Sequence, residues 1–148
     1  MPVKNRFAEL QKEIAEWRQD IHQHPEILFE THRTSALVRD KLKEFGCDEV
    51  IEGIGKTGVV GVINGQTNQS NKVIGLRADM DALPINEETG LDYSSKIPGA
   101  MHACGHDGHT SMLLGAAKYL CETRNFDGQA VVIFQPAEEG GGGGLEMC

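Results

Sequence analysis

Three histidines, a cysteine and an aspartate fall within eight residues in His102-Ala103-Cys104-Gly105-His106-Asp107-Gly108-His109. Thiolate and imidazole are both good ligands for first-row divalent metals. In an extended segment residues i and i+2 point the same way, so Cys104 and His106 can face one point while Gly105 lets the backbone approach it. Asp107, or a neighbouring histidine such as His102 or His109, can add a ligand or hold a ligand imidazole in its tautomer. A structural zinc site would more usually show paired Cys-x-x-Cys spacings, and the sequence has none.

Gln135-Pro136-Ala137-Glu138-Glu139-Gly140 supplies adjacent carboxylates directly after an apolar run. Neighbouring side chains at a strand end point in different directions, so one carboxylate can bind a metal while the other takes a proton from water. Arg77-Ala78-Asp79-Met80-Asp81-Ala82-Leu83-Pro84 adds two aspartates spaced to face one cleft. Each can ligate, orient a ligand or brace the loop. His22-x-His24 near the end of a helical stretch is a further pair, with a structural reading as natural as a functional one, because histidine suits a helix C-terminus. The five-glycine run is followed by neither Lys-Ser nor Lys-Thr, so a nucleotide-binding phosphate loop is discarded.

The elements that must position these residues can be read from periodicity. Phe7, Leu10, Ile14, Trp17 and Ile21 form a helical stripe, predicting a helix over 4–23 that Pro25 stops. A second helix runs from Thr31 through Thr34–Phe45, capped by a hydroxyl and ended by Gly46. Short β-branched runs follow at Glu49–Ile51, Gly58–Ile63 and Lys72–Leu76, and the polar turn Asn64–Asn71 between the last two suggests a hairpin or meander. Residues 109–123 read as a helix with Met112, Leu113, Ala116, Ala117 and Leu120 buried. Gln129–Phe134 reads as a strand covered on both faces. This order argues for an α/β layered domain with a mixed sheet.

Composition narrows the function classes. Twenty-two acidic residues against 14 lysines and arginines give a formal charge of −8, which disfavours nucleic acid as a partner. No apolar run approaches the roughly 20 residues needed to span a bilayer, so no membrane partner is expected. Met1-Pro2-Val3-Lys4-Asn5-Arg6 lacks the form of a secretory signal, giving a cytoplasmic default. Cys47, Cys104, Cys121 and Cys148 are too scattered for a disulfide framework; Cys47 and Cys121 read as small buried hydrophobes.

The string Met101–Thr110, with Arg77–Pro84 before it, Gln135–Gly140 after it and the opening Trp17-Arg18-x-x-Ile21-His22-x-His24-Pro25-Glu26, resembles the M20 family of metallopeptidases. The likeness is to its amidohydrolase branch, which contains hippurate hydrolase, N-acyl-amino-acid amidohydrolases and auxin-conjugate hydrolases. It implies a zinc-exopeptidase-like α/β catalytic domain, a mixed sheet flanked by helices, an inserted dimerisation domain and a homo-oligomer. It also implies two divalent ions, zinc or manganese with cobalt or nickel as alternatives, and a small N-acyl amino acid as substrate. By the resemblance Cys104, His106 and Glu139 match metal ligands and Glu138 the general base. Asp79 occupies a position that is histidine in the wider clan, with Asp81 orienting it, so its role stays open; His102, Asp107 and His109 are supporting candidates. Family members are longer and take further histidine ligands downstream. Residues 1–148 are therefore expected to be the N-terminal part of the catalytic domain, inactive alone, with a non-catalytic metal-binding module or a dipeptidase as the alternatives.

Overall fold

A computed structural model describes residues 3–148. The elements in chain order are α1 (Val3–Gln23), α2 (His32–Phe45), β1 (Glu49–Ile54), β2 (Gly58–Asn64), β3 (Val73–Asp79), α3 (His106–Thr123), β4 (Gln129–Gln135) and α4 (Gly143–Met147). The sheet order is β1-β2-β4-β3. β1 and β2 form an antiparallel hairpin, with β2 antiparallel to β4. β3 and β4 are parallel, joined through α3 as a βαβ unit. The expected pairing of the strands on either side of the polar turn 64–71 does not form, because β4 lies between them. That turn instead docks on Asp127, whose carboxylate accepts the backbone N–H groups of Gln69 and Ser70, each at 2.8 Å.

Helices α2 and α3 cover one face of the sheet, and α1 packs on α3. Ala130, Val132 and Phe134 of β4 meet Leu42, Leu114 and Ala117 in the core, while Val131 and Ile133 on the other face are only half-buried. β4 is thus central in the sheet but covered fully on one side. In α3 the buried face includes His106, Thr110, Leu113, Leu114, Ala117 and Cys121. Met112, expected inside, is 60% exposed, because the adjacent Leu113 and Leu114 already take the inward positions.

The start of α2 departs from expectation. The Thr31 hydroxyl shares a hydrogen bond with Thr57 Oγ1 at 2.8 Å and makes no helix cap. Glu26 does that work: its two carboxylate oxygens accept the N–H groups of Arg33 and Thr34, each at 2.8 Å. A carboxylate placed there meets two orphan donors and the positive end of the helix dipole, an arrangement contributing on the order of 1 kcal/mol. Gly46 ends the helix in the left-handed region at φ 82°, as its position in the sequence suggests.

Cys121 is buried and Cys47 half-buried, and the two face each other as free thiols with sulfurs 3.6 Å apart. The glycine run is a close-packed corner: a Cβ at Gly143 would lie 1.7 Å from the Pro136 carbonyl oxygen, and one at Gly141 would lie 2.6 Å from Ala137 Cβ. Among the described residues no helix is long and apolar enough to cross a membrane.

Candidate metal centre

Parallel pairing aligns Asp79 with Gln135, so β3 and β4 end side by side, and the Met80 N–H donates to the Gln135 carbonyl at 2.9 Å. The loops after the two strands therefore leave the sheet at one edge, where open α/β sheets place ligand sites. Helix α3 begins at the same edge. The residues before it are not extended: Gly105 sits at φ 83°, and this turn, rather than i, i+2 alternation, brings Cys104 and His106 together. No atom within 4 Å crowds a Cβ at Gly105, so the position calls for glycine through its backbone angle alone.

Asp81 fastens the two halves of the site. Its carboxylate accepts the N–H of Glu138 at 2.9 Å and of Glu139 at 3.1 Å. Ala137, buried at φ 52°, makes the turn after which both of those N–H groups reach one carboxylate. The backbone carbonyl of Asp81 accepts His106 Nδ1–H at 2.8 Å. Because a carbonyl can only accept, that bond puts the imidazole proton on Nδ1 and leaves the Nε2 lone pair free. Thr110 Oγ1 donates to the Asp79 carbonyl at 2.8 Å, tying α3 to the end of β3.

His106 Nε2 faces carboxylates on several sides. It lies 3.5 Å from Asp79 Oδ1, 3.6 Å from Glu139 Oε1 and 3.8 Å from Glu138 Oε2. Donor atoms of Cys104, His106 and Glu139 all lie within 4.8 Å of one another, as do those of Asp79, His106 and His109. Among the described residues Glu139 Oε1, which is buried, has no hydrogen-bond partner. A hydrogen bond to Glu139, followed by burial and the charges of Glu139, Glu138 and Asp79, holds the Cys104 thiol above its ordinary pKa. An unpartnered buried carboxylate oxygen, a free imidazole lone pair and a thiol among acids together fit a divalent cation, which would favour the thiolate and neutralise the cluster. Burial opposes ionisation of Asp79, but the hydrogen bond with His109 and the nearby Arg77 guanidinium outweigh it and hold the carboxyl below its usual range.

The remaining candidates divide. Asp107 points away from the cluster: its Oδ2 accepts Arg18 Nε–H at 3.0 Å and lies 2.9 Å from His22 Nδ1, while Oδ1 is buried and has no partner among the described residues. His102 is buried, neither ring nitrogen has a partner among the described residues, and its ring lies 6.4 Å from that of His22. His22 and His24 do not converge, since His24 Nδ1 donates to the Asp20 carbonyl whereas His22 Nε2 lies 3.1 Å from Glu87. The Arg18–Asp107–His22–Glu87 chain was not legible as a unit, because Glu87 lies 65 residues from His22 in an unremarkable polar stretch.

Burial disfavours the charged form of Glu87, but bonds from the Thr89 hydroxyl, the Ser95 N–H and His22 outweigh it and bring its pKa down to about 2. A carboxyl lowered in the folded state stabilises the fold above the ordinary carboxylate range, and that contribution disappears as pH falls through about 2. The difference in melting temperature between the wild type and Glu87→Gln is therefore expected to be widest near neutral pH and to shrink on acidification. A difference independent of pH contradicts this assignment.

The sequence profile of Peptidase family M20/M25/M40 matches residues 75–148. Over 95% of this chain and 36% of the relative, the chain is 57% identical to a hippurate hydrolase of Campylobacter jejuni. It is 43% identical to an N-acyl-L-amino acid amidohydrolase of Geobacillus stearothermophilus, covering 97% of this chain and 38% of the other. The crystal structure of the Bacillus subtilis YXEP protein, a dinuclear metal binding peptidase from the M20 family, superposes with a TM-score of 0.87 at 40% identity, covering 94% of this chain and 39% of that one. The chain thus spans little more than a third of the length of the relatives it matches.

Proposed function

The chain belongs to peptidase family M20/M25/M40, and from that premise we propose that it is the N-terminal part of the catalytic domain of a metal-dependent amidohydrolase. The substrate class is an N-acyl amino acid, cleaved at the amide to a carboxylate and a free amino acid, in line with the relatives' names. The observation that carries this reading is the convergence of Cys104, His106 and Glu139, with Glu138 beside them.

Bound divalent ions, two in the complete site and of zinc or manganese type, with cobalt and nickel also suited to the donors, supply a Lewis acid for the amide carbonyl and lower the pKa of water. Cys104, His106 and Glu139 hold metal. The Glu138 side chain is 40% exposed against 19% for Glu139, so it is the carboxylate more open to substrate. It takes the proton of the attacking water and delivers it to the leaving amine. Asp81 sets the positions of both glutamates and of His106 without touching substrate. The further ligands, the dimerisation domain that makes the protein a homo-oligomer and the rest of the catalytic domain are assigned to sequence outside these 148 residues.

The test is a chimera in which this chain replaces the matching part of the Campylobacter jejuni hippurate hydrolase. The chimera is expected to hydrolyse N-benzoylglycine in preference to an unblocked dipeptide, and the zinc- or manganese-loaded chain alone to leave it intact. Turnover by the chain alone overturns the claim of incompleteness. A preference for the dipeptide points to a dipeptidase, and a folded, metal-loaded but inactive chimera to a metal-binding module without catalysis.

A further inference from the structure

Two three-donor sets meet at His106, and they differ in chemistry. One is Cys104, His106 and Glu139, offering sulfur, nitrogen and oxygen; the other is Asp79, His106 and His109, offering oxygen and two nitrogens. We propose that these are mutually exclusive ion positions sharing His106 Nε2, and that the hardness of the ion decides which is filled. The proposal rests on the metal reading of Cys104, His106 and Glu139 and adds a second position to it.

The second set is built rather than incidental. His106 and His109 stand one turn apart on α3, with stacked rings whose centroids are 5.5 Å apart. Asp79 ends β3 opposite them, held to the same helix by Thr110. Asp79 Oδ1 is 2.7 Å from His109 Nδ1 and 3.5 Å from His106 Nε2. Donors bound to one ion at about 2.0–2.2 Å lie roughly 3–3.6 Å apart in tetrahedral geometry, so the Asp79–His106 spacing already suits an ion. An ion there replaces the His109–Asp79 hydrogen bond, with the His109 proton moving to Nε2. Arg77 donates to the other Asp79 oxygen at 2.9 Å, leaving Oδ1 to the histidines. The His109 side chain is 48% exposed, so a hydrated ion can reach it.

Exclusivity follows from His106. Its Nδ1 proton is committed to the Asp81 carbonyl, so one lone pair, on Nε2, serves both sets. Asp79 does not join Cys104 and Glu139 in a single group. An ion that favours thiolate, such as cadmium or zinc, is drawn to the Cys104 side, whereas manganese, which favours oxygen and nitrogen, is drawn to Asp79 and His109.

The test uses the 148-residue chain with one metal at a time and then both. Manganese binding is followed by loss of the free-ion electron paramagnetic resonance signal, and cadmium binding by the ultraviolet thiolate-to-metal absorption. His109→Ala is expected to weaken manganese binding about 10- to 100-fold and to leave the cadmium band intact. Cys104→Ser is expected to remove the band and to keep manganese affinity within about twofold. In the wild type, cadmium displaces manganese. Asp79→Asn provides a second variant, with far-UV circular dichroism confirming the fold, and repeats the manganese loss. Unchanged manganese affinity in folded His109→Ala and Asp79→Asn, or simultaneous binding of both ions, overturns the proposal alone. A wild-type chain with no thiolate band overturns the Cys104 reading beneath it and the exclusivity with it.

Discussion

Asp81→Ala is expected to lose both fold stability and metal together. The substitution strands the N–H groups of Glu138 and Glu139, which share that one buried carboxylate. Leaving two half-buried donors without their shared acceptor costs roughly 1–3 kcal/mol. With those bonds gone, the turn at Ala137 no longer fixes the glutamates against His106, and zinc affinity is expected to fall about 10- to 100-fold, as for other residues that orient metal ligands. Asp81→Asn keeps one acceptor oxygen and turns the other into a donor facing an N–H, so it is expected to fall between alanine and wild type. Urea midpoints with a zinc competition titration measure both effects. Full stability and full zinc affinity in Asp81→Ala contradict the positioning role.

The second large effect separates the two adjacent glutamates. In the chimera with the Campylobacter jejuni relative, Glu138→Gln is expected to lower the turnover rate of N-benzoylglycine by about 10²- to 10⁴-fold, the range for removal of a general base, with metal content unchanged. Glu139→Ala is expected to lose metal as well as turnover. Elemental analysis of the purified variants beside the rate measurement distinguishes them. Metal loss in Glu138→Gln makes that residue a ligand, and full turnover removes it from the chemistry.

The ligand types were legible in the sequence because cysteine, histidine and paired glutamates in short motifs announce their chemistry through side-chain identity. The three motifs are also brought to one sheet edge by an arrangement that the β-branched runs and the helix over 109–123 foreshadow. The groups that position them were much less legible. Asp81 acts through the backbone N–H groups of residues 57 and 58 positions away, and backbone donors leave no mark on a sequence. Glu26 replaces Thr31 as the helix cap from outside the local window in which caps are sought. Residues 64–71 have the polar composition of a turn whether the flanking strands pair or receive a third strand between them, so the insertion of β4 could not be read there. Helix α3 is apolar around most of its circumference, and Met112 therefore carried no sign of facing outward. One residue of these motifs turns away from the expected point, Asp107, which braces Arg18 and His22, while Asp79 stays at the cluster and lies closer to His109 than to His106.

The central claim is that His106 Nε2, oriented by Asp81, is the pivot of a metal centre. The most direct measurement is the zinc content of the 148-residue chain after loading and gel filtration, for the wild type, His106→Ala and the control His24→Ala, each checked by far-UV circular dichroism. His24 lies outside the cluster, and its Nδ1 donates to the Asp20 carbonyl one turn earlier. The expected result is about one retained ion in the wild type and in His24→Ala and essentially none in a folded His106→Ala. Equal retention in all three, or no retention by the wild type, would contradict the metal centre.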